Sequence, residues 1–342
     1  MELQSCRETS ARGAPCAMTP ADADVRGTDG VMIRVRAYDA RAESSRGARD
    51  ASRCVVLAHA NGFHGSVFAP LIAGLCARGY ACYALDFRGH GRSTSPVNGR
   101  LEWSALGEDC AAVVTALGLH GCHAFGHSCG GHALLMAEAR RPGMFRSIYA
   151  FEPIFIVPQN ALEAYDVSPG SPLMASTEYL VKSATRRRER FASVAEALST
   201  YKSKPPMNAL DSRALEAYVN DGGFVRDDEN DNKGAQGGVK LACSVDTEVS
   251  IYRAGEGAAD AFASLPRVAC PVVIAKGTSF DPDDTSPIYS AVIAPALAAA
   301  VQRGQVVEFP NLSHFGPMER PDDVAESVVD FISTARAAHS KL

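Results

Sequence analysis

The sequence predicts an α/β protein: a mostly parallel, twisted sheet with helices on both faces and an inserted helical cap. Three observations predict it. Short apolar runs alternate with helix-like runs up to residue 152 and again after 267. One apolar run passes into a helix-like run through Gly126-His127-Ser128-Cys129-Gly130. Residues 153–267 break the alternation with Pro153, Pro158, Pro169 and Pro172 and a Gly- and Asp-rich loop at 221–238.

Each element follows from its own pattern. Residues 1–24 lack periodicity and read as a flexible tail. Val31 to Tyr38 alternates, placing Val31, Ile33, Val35 and Ala37 on one side, and reads as an antiparallel strand. Residues 39–52 form a polar connection. Strands near 54–59, 80–86, 121–126 and 146–151 alternate with helices near 66–78, 104–117 and 130–140. Strands 271–275 and 305–309, followed by helices 287–302 and 321–336, close the core. These strands are near-continuous apolar runs, the pattern of a sheet covered on both faces. The implied core is 25–152 with 268–337. Residues 153–267 are a cap with helix-like runs near 173–203 and 211–220, and 338–342 form a C-terminal tail.

The 342 residues suit one large domain, or a core with an insertion. Hydrophobic residues are 46% and charged residues 21%, the balance of a packed globular protein. A formal charge of −5 argues against a general nucleic-acid binder. No apolar run is long enough to span a bilayer. Ten cysteines include no C-x-x-C pair, and several sit in expected strands, so reduced, buried thiols are expected. The chain ends Ser340-Lys341-Leu342, a peroxisomal address read by an import receptor in eukaryotes. The expected location is the peroxisome in that case and the cytoplasm otherwise.

A serine hydroxyl becomes a nucleophile when a tight strand-to-helix turn exposes it and a histidine takes its proton. Gly126 and Gly130 permit that turn around Ser128. Taken alone, the motif also fits a glycine-rich turn with a capping serine. Three further segments agree with the sharper reading. Val55-Val56-Leu57-Ala58-His59-Ala60-Asn61-Gly62-Phe63 is a strand running into a His- and Gly-containing loop. Asp86-Phe87-Arg88-Gly89-His90-Gly91-Arg92-Ser93 is a polar turn after a buried strand. Asn311-Leu312-Ser313-His314-Phe315-Gly316-Pro317 follows the last strand. Together these resemble the α/β-hydrolase superfamily over residues 54–152 and 268–337.

The resemblance implies an α/β-hydrolase fold and a Ser-His-acid triad, with Ser128 as nucleophile and His314 as general base. Asp281, in the loop after the strand that follows the cap, is the first candidate acid. Glu152, at the end of the sixth core strand, is the alternative, similar to the relocated acid of some haloalkane dehalogenases. Asp281 also reads as a helix cap, and Glu152 as a tie between cap and core. The oxyanion donors implied are the backbone N–H groups of Cys129 and of Asn61, with Phe63 as alternative to Asn61. The Asp86–Ser93 turn, His59 and His90 read as structural. Arg186-Arg187-Arg188-Glu189-Arg190 reads as a solvated basic helix face, or else as a dock for an anionic substrate tail. Trp103 either lines the pocket or starts a helix. No metal-ligand spacing or dinucleotide fingerprint occurs, so no metal and no cofactor are expected. The expected activity is hydrolysis of a small carboxylic ester, thioester or lactone through an acyl-enzyme. Alternatives are C–C bond hydrolysis or acyl transfer on the same triad, or a ligand-binding receptor of this fold. The expected partner is a small-molecule acyl substrate. Substrate identity and oligomeric state stay open.

Overall fold

A computed structural model describes residues 20–38, 50–163, 177–228, 238–278 and 289–339. Its centre is an eight-stranded sheet. Ala21–Arg26 (β1), Met32–Tyr38 (β2), Cys54–Ala58 (β3), Ala81–Leu85 (β4), Cys122–His127 (β5) and Phe145–Phe151 (β6) come from the first half of the chain. Arg190–Phe191 (β7), Phe224–Arg226 (β8) and Val239–Leu241 (β9) lie in the insertion, and Val272–Gly277 (β10) and Gly304–Phe309 (β11) return to the core. The order across the large sheet is β1-β2-β4-β3-β5-β6-β10-β11. β2 is antiparallel to both β1 and β4, and the pairings from β4 to β11 are parallel.

Alternation along the strands divides the core into two layers. Val55, Leu57, Phe125, Tyr149 and Val273 pack against helices Ala69–Ala77 and Pro321–His339. Val56, Ala58, Ala124, Ile148 and Ile274 face the other way, against Trp103–Ala116, Cys129–Arg140 and Ala294–Ala300. With both faces covered, β3 and β5 are buried along their whole lengths.

The expected core strands match within two residues. The expected tail is corrected at its end, because strand pairing begins at Ala21, opposite Ala37. Asp22 and Asp24 look like tail residues locally. They are cross-strand partners of the Arg34 guanidinium, at 2.9 and 2.7 Å. The Ser340-Lys341-Leu342 tripeptide lies outside the described residues.

The insertion between β6 and β10 carries helices Gln159–Glu163, Thr177–Thr185, Val194–Lys202, Ser212–Asn220 and Val245–Ala254. It also holds a small antiparallel sheet in the order β7-β9-β8. The helical run expected near 173–203 is divided. Ser193 restarts it by accepting the Glu196 N–H (3.1 Å) while Glu196 takes the Ala192 N–H (2.6 Å), a variant of the capping box.

Beneath the sheet's C-terminal end, Arg88 is wholly buried. It forks onto Asp109 through Nε (2.9 Å) and Nη2 (2.7 Å), and Asp109 is equally buried. Arg88 also reaches Asp29 (2.9 Å), but removing Asp109 takes away its one fully buried counter-charge and both forked hydrogen bonds. Asp109→Ala is therefore expected to cost about 3–5 kcal/mol. The urea midpoint measures it, and an unchanged midpoint would contradict the assignment of this pair as structural.

Candidate active site

β5 ends at His127 and the helix Cys129–Arg140 begins two residues later, so Ser128 takes the whole change of direction. Its φ of 56° and ψ of −120° lie where side chains other than glycine's are strained. Two hydrogen bonds hold it there: Ser128 N–H to the Phe151 carbonyl (3.0 Å) and His132 N–H to the Ser128 carbonyl (3.1 Å). The flanking glycines serve close approach. A Cβ at position 130 would lie 2.2 Å from the Ala58 carbonyl oxygen, and one at position 126 would lie 2.6 Å from the Gly131 nitrogen. The turn is therefore closed to larger residues by backbone on both sides.

The loop after β11 brings His314 to the same end of the sheet. His127 Nε2–H donates to the His314 carbonyl (2.7 Å), and the two imidazole centroids are 4.8 Å apart. Ser313, one residue earlier, is fixed by Glu319, which accepts its N–H at 2.9 Å and also bonds its hydroxyl. Ser128 and His314 are thus joined through His127, the residue between Gly126 and the serine. No hydrogen bond joins Ser128 Oγ to His314 in this structure. Such contacts commonly tighten only when substrate binds.

His314 Nδ1 lies 2.7 Å from Glu152 Oε2. The imidazole is 16% exposed, whereas the carboxylate is 1% exposed. Glu152 directly follows β6, with φ of 43°. Its N–H donates to the Ala275 carbonyl (2.8 Å) on β10, and its Oε1 accepts the Gly277 N–H (2.9 Å). Ser290 donates its hydroxyl to Oε2 (2.8 Å). A carboxylate on Nδ1 selects the tautomer that leaves the Nε2 lone pair open. Four described residues other than glycine have positive φ, and two of them are Ser128 and Glu152. Strain of this kind concentrates where geometry serves chemistry. Asp281, placed ahead of Glu152 by the sequence, lies outside the described residues.

The loop after β3, which approaches the start of the helix through the His59 carbonyl and Cys129 Sγ (3.5 Å), carries the N–H groups of Asn61, Gly62 and Phe63. Phe63 N–H is engaged by the Ala60 carbonyl (3.1 Å), and Gly62 N–H by His90 Nε2 (3.1 Å). The Asn61 N–H lies against the Cys129 sulfur, at the first residue of the helix. Cys129 Sγ itself points to the His59 carbonyl (3.5 Å), and burial pushes the thiol up to about 12. At neutral pH it stays protonated. The eight described cysteines are all buried thiols.

Other expectations are resolved by contacts. His59 accepts the Phe87 N–H on Nε2 (2.9 Å) and faces the Ala60 carbonyl with Nδ1 (2.7 Å), so it braces a turn. Asp86 accepts the N–H groups of Gly65 (2.7 Å) and Arg92 (2.9 Å), again within loops. Trp103 donates Nε1–H to the Ile251 carbonyl (2.8 Å) and tethers the insertion. The basic run is not a helix face: the helix ends at Thr185. Arg187 pairs with Glu248 and bonds the Tyr218 hydroxyl (2.9 Å) above Gly62, so its charge is matched internally. Arg190 pairs with Asp227. Among the described residues, no group of three or more His, Cys, Asp or Glu could hold a metal ion, and no helix is long and apolar enough to cross a membrane.

Comparison with known proteins bears on the same residues. The model of the family described as "Alpha/beta hydrolase family" matches residues 55–327. A 2-(acetamidomethylene)succinate hydrolase of Mesorhizobium japonicum is 33% identical over 118 residues, 32% of this chain and 42% of that protein. A putative carbamate hydrolase of Caulobacter sp. is 33% identical over 88 residues, 26% of this chain and 32% of that protein. The matches thus span less than half the length of these curated relatives. The crystal structure of an E-2-(acetamidomethylene)succinate hydrolase superposes with a TM-score of 0.69 at 19% identity, covering 92% of this chain and 100% of that one. At that identity the likeness concerns the fold. With the family match running over residues 55–327 and the sheet order just described, the chain belongs to the alpha/beta hydrolase family.

Proposed function

We propose that the protein is a serine hydrolase that cleaves a small carboxylic ester, thioester or lactone through an acyl-enzyme. The observation that carries this reading is the 2.7 Å contact between Glu152 and His314 beside the strained turn at Ser128. Glu152 is taken as the acid in place of Asp281 because it already touches the imidazole.

The chemistry follows from these positions. His314 Nε2 removes the Ser128 proton as Oγ attacks the acyl carbon, and the carbonyl pair moves onto oxygen. The Cys129 N–H, with no intrahelical partner at the helix start, and the Asn61 N–H receive that oxyanion. Imidazolium then returns its proton to the leaving alcohol or thiol as the bond to it breaks. Water repeats the sequence on the acyl-enzyme and releases the acid. Glu152 holds the tautomer and balances the transient positive charge. Phe63 and Phe315, 6.0 Å apart in ring centroids, flank this end of the sheet and suit a small apolar acyl group.

A second reading has one specific support: the relatives' names mention an acetamidomethylene group and a carbamate. The same triad acting on an acyl C–N bond would return its proton to nitrogen.

A fluorophosphonate probe tests the shared core of both readings. It is expected to label Ser128 stoichiometrically, and Ser128→Ala is expected to remove labelling and at least about 10³-fold of turnover on a panel of short esters, thioesters and carbamates. Labelling elsewhere, or undiminished turnover in the variant, overturns the assignment.

A further inference from the structure

Glu152 is buried at 1% exposure, and among the described residues its one ion-pair partner is His314. Among the described residues no lysine or arginine pairs with it. The groups that do are neutral. Gly277 N–H fills Oε1 at 2.9 Å, and Ser290 shares Oε2 with the imidazole at 2.8 Å. Ser290 Oγ is also 3.2 Å from His314 Nδ1. It is 2% exposed and sits in the short helix Tyr289–Val292. One hydroxyl thus touches both members of the acid–base pair.

We propose that Ser290 is a positioning residue for the catalytic imidazole, an inference that rests on the triad reading above. Its proton goes to Glu152 Oε2, so its lone pairs face the Nδ1–H of His314. The imidazole proton is then shared between the carboxylate and the hydroxyl. Two consequences follow. Oε2 cannot swing about the last side-chain torsion, because Ser290 and Gly277 pin the two oxygens separately. The imidazole ring is also held from two sides, which limits its tilt toward or away from Ser128. Placement errors of about 1 Å at a reacting group cost on the order of 10²-fold in rate. A hydroxyl achieves this without adding charge beside a pair that must become imidazolium and carboxylate during each half-reaction.

Ser290→Ala removes the hydroxyl, Ser290→Cys keeps the volume with a poorer donor, and Ser290→Thr keeps the hydroxyl. Each is measured alongside wild type for kcat, KM and fluorophosphonate labelling rate, and by the low-field proton resonance of the His314 Nδ1–H. The expected result is a fall in kcat of about 10–100-fold for Ala and Cys with KM within about twofold. Thr is expected to restore kcat, and the low-field resonance is expected to move in Ala and Cys but not in Thr. Thermal melting shows whether each variant is folded. If Ala alone fails to fold, the Cys and Thr pair decides the matter. Folded Ala and Cys variants with wild-type kcat and an unmoved resonance refute the role of Ser290 while leaving the triad intact. A wild-type protein that fluorophosphonate does not label at Ser128 removes the triad reading, and this inference with it.

Discussion

Glu152→Gln is expected to lower kcat about 10⁴-fold with little change in KM, while Asp281→Asn leaves both within about threefold. The amide is nearly the size of the carboxylate, so the fold should persist, and thermal melting checks that. What changes is the charge and the acceptor on the imidazole. Glu152 Oε2 now meets His314 Nδ1 at 2.7 Å and receives two hydrogen bonds. An amide there favours the opposite tautomer, with the proton on the nitrogen that must accept from Ser128. It also leaves the imidazolium without a counter-charge in a site screened from water. The pair of variants decides between the two carboxylates in one measurement. A silent Glu152→Gln with a crippled Asp281→Asn reverses the assignment.

Acid is expected to destabilise the protein between about pH 6.5 and 4, starting well above the range where carboxylates titrate. His59, His64, His90, His127 and His132 are buried, and burial holds each imidazole below its ordinary value of 6.5. For His90 and His132 the value falls to about 4. The sign follows from proton counting. Above about pH 6.5 neither state binds these protons, and stability is intact. Below it the unfolded chain takes up protons that the folded chain refuses, until the pH reaches the depressed folded values. Each such histidine lowers stability by up to about 1.4 kcal/mol per pH unit in that window. Together they remove a large share of an ordinary stability of about 5–15 kcal/mol. Urea midpoints measured from pH 8 to 4 give the slope. His132→Phe should flatten it by about one proton's share, and a level midpoint down to pH 5 would falsify the account.

The fold was legible because its information is local. Val55-Val56-Leu57-Ala58 is apolar without interruption and Cys122 to Phe125 is broken only by His123, and a strand covered on both faces produces that pattern. The turn at Ser128 was legible for the same reason, since its glycines lie within two residues of it. The acid was not. Which carboxylate reaches His314 depends on β6 lying beside β10, where Phe151 pairs with Ala275. That is a long-range fact, invisible in the neighbourhood of either candidate. The cap shows the same limit. Arg187 finds Glu248 sixty-one residues later, so a charge run that scans as a wet surface holds a sheltered ion pair. β1 was missed because Asp22 and Asp24 are explained only by an arginine on the opposite strand.

Glu152 is followed at once by Pro153, where the chain leaves the sheet for the insertion, and Pro153 packs against the helix that begins at Cys129: a Cβ at Gly131 would lie 2.9 Å from its ring. The carboxylate that touches the His314 imidazole is therefore also the gatepost from which the insertion departs. That sets a splice point for engineering: an exchanged insertion leaves the Glu152–His314 contact in place only if the join lies beyond residue 153.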